Sequence, residues 1–223
     1  MRTVIAGGHG QIALHLERLL AARGDTPVGL IRRTGQQEAD LRETGAEPVL
    51  CDLESATVEQ VAAVLAGADN AVFAAGAGPG SSADRKETVD RDAAVLFADA
   101  AERAGVRRFV LVSSMGADRE PPIGTDPVFA AYLRAKGAAD ADIAARTGLD
   151  WTILRPGRLT DDPATARVFL APHTGRGSIP RADVAAVILA LLDAPATSGR
   201  TLELIAGDVP ADRAVREAGA PRV

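Results

Sequence analysis

Apolar residues recur along this chain in two alternating rhythms. Val4, Ile5 and Ala6 form a short unbroken run of the kind that suits a strand buried on both faces. Ile12, Leu16, Leu19 and Leu20 then recur at i, i+4, i+7 and i+8, which is one stripe of a helix. Gly24 precedes a second extended run at 26–31. Further helical segments end at Gly45, Gly67, Gly105 and Gly148, before extended runs at 47–51, 70–74, 108–112 and 151–154. A glycine just past a helix end supplies the left-handed residue that closes it. Strands and helices alternating with short glycine links predict βα repeats, an α/β architecture with a doubly wound, mostly parallel sheet covered by helices on both faces.

Three longer helices follow from the same patterning. One spans about 86–104 with Val89, Ala93, Leu96, Phe97, Ala100 and Ala104 on one side, and one spans about 127–147 with Phe129, Leu133, Ile143 and Ala144. The third follows Pro180 with Val184, Val187, Ile188 and Leu191, and a last strand at 201–205 follows Gly199. Residues 76–83, 116–126 and 160–177 are rich in Gly, Pro, Ser and Asp and read as loops; the end from Pro210 reads as a polar tail. The 223 residues suit one domain, 1–223, with a small substrate-side elaboration formed mainly by 156–180 and 200–223.

Composition narrows the class. Against 25 basic side chains stand 30 acidic ones, a net charge of −5 that favours solubility and carries no nucleic-acid footprint. Cys51 is the only cysteine, so no intramolecular disulfide can form; a reducing, cytoplasmic setting and a small buried strand residue are the expectations. The start of the chain reads as a strand with glycines rather than a signal peptide. The longest strongly apolar run, 184–192, is nine residues, too short for a bilayer, so no membrane partner is expected. Neither His15 nor His173 has a partner at ligand spacing, so no metal site is expected.

The chemistry concentrates where strands end. Gly7-x-x-Gly10-x-x-Ala13 lies between the first strand and first helix: Gly7 for a tight reversal, Gly10 for close phosphate approach, Ala13 for close helix–sheet packing. Gly7, Gly8, His9, Gly10, Gln11 and Ile12 are therefore expected at a dinucleotide's phosphates, with the helix dipole behind them. Arg32 and Arg33 stand roughly twenty residues further on, where an NAD site usually keeps a carboxylate for the ribose. Two guanidiniums suit a 2′-phosphate, so NADP(H) is expected over NAD(H). Asp52 can accept from the adenine amino group while Leu53 covers the ring, and Asp52 is equally an ordinary helix cap. Ala74, Ala75 and Gly76 leave room for an extended ligand beside the backbone. Ser113 and Ser114 end the fifth strand; Tyr132 and Lys136 stand four apart on one face of the next helix. An ammonium near a phenol favours the phenolate, and a serine at the strand end can hold a carbonyl oxygen on which charge develops. Asp183 reads as a helix cap; Arg155 and Arg158 could meet an acidic substrate, and Arg155 could equally anchor the sheet edge through a carboxylate.

Over nearly its whole length the chain resembles the short-chain dehydrogenase/reductase superfamily, in its extended and atypical branch of NAD(P)H-binding, NmrA-like and epimerase-like proteins. The resemblance rests on Gly7-x-x-Gly10-x-x-Ala13, Val112-Ser113-Ser114, Tyr132-x-x-x-Lys136, Leu154-Arg155-Pro156-Gly157 and Arg181-Ala182-Asp183-Val184-Ala185. It implies a Rossmann fold, Tyr132 as general acid/base, Lys136 at the nicotinamide ribose, and Ser114 or Ser113 orienting the substrate oxygen. Pro156 and Gly157 would border the nicotinamide. It also implies that the helices around Val89 and Phe129 could pair two subunits, or that the chain stays monomeric. The separation of Ser114 from Tyr132 is shorter than usual in catalytically assigned members, and little chain follows Pro156 for a nucleotide-sugar region. An NADP-dependent oxidoreductase acting on a small carbonyl or alcohol is the leading expectation. A cofactor sensor or scaffold without turnover, and an epimerase or isomerase using the cofactor transiently, are the alternatives.

Overall fold

The computed structural model describes residues 1–78 and 80–220. Strands β1 (Arg2–Ala6), β2 (Thr26–Ile31), β3 (Glu47–Leu50), β4 (Asn70–Phe73), β5 (Arg108–Val112) and β6 (Asp150–Pro156) lie parallel in the order β3-β2-β1-β4-β5-β6. Beyond them come β7 (Arg158–Thr160), β8 (Arg167–Ala171), β9 (Ser178–Pro180), β10 (Arg200–Ala206) and β11 (Val209–Pro210). Parallel to β6 runs β10, and β8 and β11 complete the nine-stranded sheet antiparallel to their neighbours. A separate parallel pair joins β7 to β9. Strand order reverses between β1 and β4, and the carboxyl ends of strands at such a switch point form a crevice.

The expected doubly wound sheet is present, and its strands show why their apolar runs are unbroken. Val4, Ala71, Phe73, Phe109 and Leu111 face one side, packed with α3 (Val58–Leu65), α5 (Ala93–Ala104) and α6 (Pro127–Ala145). Ile5, Val72 and Val110 face the other, with α1 (Gln11–Arg23) and α7 (Arg181–Leu192). Successive side chains therefore enter different cores, each removing apolar area from water. Phe97 bridges Phe73 and Phe109, with ring centroids 6.1 and 5.9 Å away.

Four expectations need correction. The helix expected at 86–104 is three joined pieces, α4 (Ala83–Lys86), a π-helical turn Glu87–Asp92, and α5. A single inserted residue does not disturb an apolar stripe enough to be seen. The stretch 160–177 is no simple loop, because it holds β8, whose exposure alternates so that Val168 and Leu170 are buried while Arg167 and Phe169 are not. The polar end is the helix α8 (Ala211–Gly219), seated on Ala211, Ala214 and Val215; residues 221–223 of the substrate-side region lie outside those described. Asp183 does not cap α7. It accepts hydrogen bonds from Thr165 N, Thr165 Oγ1 and Ala166 N, and so holds Ala166 at a φ of 55° where β8 begins.

Beneath the β1–α1 turn lies a buried carboxyl, Glu17. Thr44 Oγ1 donates to its Oε2 at 3.0 Å, and Oε1 has no hydrogen-bond partner. Burial pushes its pKa from 4.5 up to about 8. The folded protein thus holds this proton more tightly than the unfolded chain. The stabilisation is complete below pH 4.5 and is lost as pH rises to about 8. Wild type is expected to lose on the order of a few kcal/mol of urea-unfolding stability across that window. Glu17→Gln keeps an acceptor for Thr44 and is expected to flatten the profile and exceed wild type at the alkaline end; parallel profiles would refute the assignment.

Candidate functional site

Two cavities open along the carboxyl ends of the strands and share Ala74, Ala75, Gly76 and Gly78. The smaller, about 310 Å³, runs from Gly7, His9 and Gly10 past Ile31 and Arg32 to Cys51, Asp52, Leu53 and Glu54. The larger, about 1240 Å³, holds Ile12, Ser113, Ser114, Tyr132, Lys136, Pro156 and Gly157. Residues expected at a dinucleotide's two ends are thus divided between two ends of one trough.

The amino-terminal turn is built for close approach. Gly7 has φ 78°, and a Cβ there would lie 2.6 Å from Ala75 Cα, so only glycine lets the turn and the loop after β4 touch. Gly10 precedes α1 with no side-chain cap, which leaves the first-turn amides available to an anion. Gly8 does not line the trough; it packs on Gly29, where a Cβ would come within 2.7 Å of the backbone. Gln11 is exposed and lines neither cavity. His9 bonds Asp40 at 2.6 Å, and that bond holds the Asp40 carboxyl below its ordinary range.

At the small cavity's far end, Arg32 lies 3.4 Å from Glu54, which also binds Arg85 at 2.7 Å. The Arg85 hydrogen bond holds Glu54 below the usual carboxylate range. Arg33 is exposed, and its backbone N–H donates to Gln37 Oε1. Only Arg32 of the pair lines the cavity. Asp52 accepts from Glu54 N at 3.2 Å within a turn, and Thr57 rather than Asp52 caps α3. Cys51 is no buried strand residue: it lies just beyond β3, half-buried against the cavity, where burial pushes its thiol pKa up.

The large cavity is organised around Lys136. Its Nζ donates to Val112 O at 3.0 Å and Ala75 O at 3.4 Å, and lies 3.3 Å from Asp90 Oδ1. Both partners of this ion pair are buried, and Asp90 Oδ2 also accepts from Ala77 N at 3.2 Å. Tyr132, one turn earlier, stacks on Phe129 with centroids 5.8 Å apart. Lys86 Nζ sits 5.4 Å from the tyrosine ring centroid and donates to Gly78 O at 2.8 Å. Ser114 is half-buried, with Oγ donating to Met115 O at 3.3 Å. Ser113 is buried beside Asp140. Burial raises the Asp140 pKa against the pull of Ser113 and Arg155. Arg155 is an anchor, 2.8 Å from Asp140 and 3.5 Å from Asp118. Gly157 must be glycine, since a Cβ would stand 2.4 Å from Gly177 O where β7 and β9 pair. Lys86 and Glu54 are not among the expected site residues, since their roles depend on contacts between elements far apart in sequence.

The strand order, the uncapped helix start and the continuous trough define a dinucleotide-binding protein of the Rossmann type. The sequence profile of the NAD(P)H-binding family matches residues 7–195, and the chain belongs to that family. It is 36% identical over 217 residues to an uncharacterised sugar epimerase of Bacillus subtilis, YhfK, covering 97% of this chain and 100% of that one. A Bacillus halodurans protein classed as an NAD-dependent epimerase/dehydratase has a similar structure, with TM-score 0.88, 36% identity, and coverage of 97% and 99%. The oxidoreductase ylbE of Lactococcus lactis matches with TM-score 0.84 and 26% identity over the full length of both chains. The resemblance to the short-chain dehydrogenase/reductases stands on these findings. Among the described residues no helix is long and apolar enough to cross a membrane.

Removing Asp90 would leave the Lys136 ammonium buried without its counter-charge. Asp90→Ala is expected to cost about 3–5 kcal/mol in urea unfolding, and Asp90→Ala/Lys136→Met to recover part of it. Strict additivity of the single losses would show that the two groups are not coupled.

Proposed function

We propose that this protein is an NADP(H)-dependent oxidoreductase acting on a small carbonyl or alcohol. The observation that carries the reading is Tyr132, a phenol lining the large cavity one helical turn from Lys136, where the cavity continues the dinucleotide trough. When bound, the dinucleotide supplies or accepts the hydride. Gly7, Gly10 and the start of α1 would hold its diphosphate, Arg32 a 2′-phosphate, Asp52 and Leu53 the adenine, and Pro156 and Gly157 would border the nicotinamide. Lys136 gives two of its three N–H donors to Val112 O and Ala75 O and makes an ion pair but no hydrogen bond with Asp90 Oδ1, so its third donor would reach the ribose. Tyr132 gives its proton to the substrate oxygen during reduction and removes it during oxidation. Ser114 orients that oxygen, at the cost of its weak bond to Met115 O.

The epimerase names of two relatives favour a second reading, in which the cofactor stays bound and no net redox change occurs. NADPH oxidation followed by absorbance over quinones, flavins, aldehydes and ketones separates the two. Tyr132→Phe is expected to lower turnover by roughly 10²–10³-fold while NADPH fluorescence still reports binding. Turnover unchanged in that variant would remove Tyr132 from the chemistry, and cofactor retained through purification without net oxidation would favour the epimerase. Arg32→Ala is expected to weaken NADPH by about tenfold and NADH hardly at all; equal losses would refute the 2′-phosphate contact.

A further inference from the structure

Some cations that line the large cavity have no carboxylate within salt-bridge distance among the described residues. Lys136 is matched by Asp90, and Arg181 by Asp161 at 2.6 Å. Arg119, Arg158 and Arg176 also line the cavity, and among the described residues none of the three has a carboxylate within salt-bridge distance or a hydrogen-bond acceptor for its guanidinium. Nearby arginines are treated differently: Arg134 binds Glu120, and Arg155 binds Asp140 and Asp118. On a chain with net charge −5 and 30 carboxylates, unpaired guanidiniums gathered at one cavity are not a consequence of composition.

Their placement argues against a role in holding the dinucleotide's phosphates. Arg119 follows β5, while Arg158 begins β7 and Arg176 precedes β9. The phosphate-binding turn lies after β1, across the strand-order reversal, and lines the other cavity. Arg158 and Arg176 stand on adjoining segments. Arg158 N donates to Gly177 O at 2.9 Å, and Arg158 pairs with Ser178 across the β7–β9 ladder. The backbone contact between Gly157 and Gly177 fixes these two segments against each other. Two planar donor forks, one at the start of β7 and one just before β9, suit a carboxylate or a phosphate, which guanidinium binds bidentately.

We propose that the substrate carries an anionic group, a carboxylate or a phosphate, held by Arg158 and Arg176 with Arg119 at the same cavity. For the reaction this rests on the oxidoreductase reading; for binding it does not. The test is calorimetric titration of benzoate, phenyl phosphate and neutral benzamide into the NADP⁺-loaded protein and into Arg158→Ala/Arg176→Ala. At least one anion is expected to bind about tenfold or more tightly than benzamide and to lose roughly that factor in the variant, with NADP⁺ affinity unchanged. Preference for benzoate or for phenyl phosphate tells the two anion classes apart. Arg158→Lys/Arg176→Lys, which keeps charge without the fork, is expected to restore part of the affinity. Equal binding of all three probes, no anion binding at millimolar concentration, or anion binding indifferent to the alanine variant would overturn the proposal. NADPH oxidation with 4-carboxybenzaldehyde against benzaldehyde is measured in parallel. If neither aldehyde is reduced while anion binding still depends on the arginines, the oxidoreductase reading fails and the anion site stands.

Discussion

The buried ion pair between Lys136 and Asp90 is the joint on which the candidate site hangs. Four elements meet there: α6 brings the ammonium, the π-helical turn brings the carboxylate, the end of β5 offers Val112 O, and the loop after β4 offers Ala75 O and Ala77 N. Two charges taken out of water need hydrogen bonds to offset the loss: Ala75 O, Ala77 N and Val112 O supply three, while Asp90 Oδ1 is left with the ammonium alone. The loop conformation, the height of α6 above the sheet and the position of Asp90 are therefore one problem with one solution. A π turn is a common device at functional sites, since it adds a residue without breaking the helix, and here the turn contains Asp90 itself.

The second constraint is steric. The β1–α1 turn lies against the loop after β4 at Gly7 and Ala75, and against β2 at Gly8 and Gly29. These contacts bring three carboxyl-end segments close enough that their exposed backbones form the floor of a single trough. Because Ala75 touches Gly7 on one side and Lys136 on the other, the two halves of the trough are mechanically continuous. Displacing the loop would disturb both ends at once, which gives a physical reason for small residues at 74–78 beyond room for a ligand.

Much of this was legible in the sequence, and the reason is periodicity. A parallel strand buried on both faces has no polar position to interrupt it, so Val4–Ala6 and 109–112 announce themselves, and Gly24, Gly45 and Gly105 close helices as expected, whereas Ala66 and Arg146 stand at the ends of α3 and α6. The segment holding β8 is different. Its strand alternates exposed and buried positions amid Pro, Gly and Asp, and its partner residues in β10 lie 32 to 38 positions further along the chain. Tyr132, Lys136, Ser113 and Ser114 could be found because each lies at a strand end or at helical spacing from another. Lys86 and Glu54 could not, because what gives them meaning is proximity across elements. Asp183 misled for the same reason: its position suggests a cap, whereas its contacts are with Thr165 and Ala166.

That distinction bears on the tyrosine. Spacing alone assigns Lys136 as the cation that attends Tyr132, yet in the folded protein Lys136 is committed to Asp90 and two carbonyls. The cation placed over the Tyr132 ring is Lys86, itself tethered to Gly78 O in the loop after β4, and Phe129 stacks on the same ring. Two contacts thus orient the ring, and one of them, Lys86, is tethered to the loop that Asp90 and Lys136 also hold. The ion pair and the phenol are thereby linked through that loop: the lysine at helical spacing from Tyr132 makes the ion pair, while the lysine that faces the ring is one the spacing does not single out.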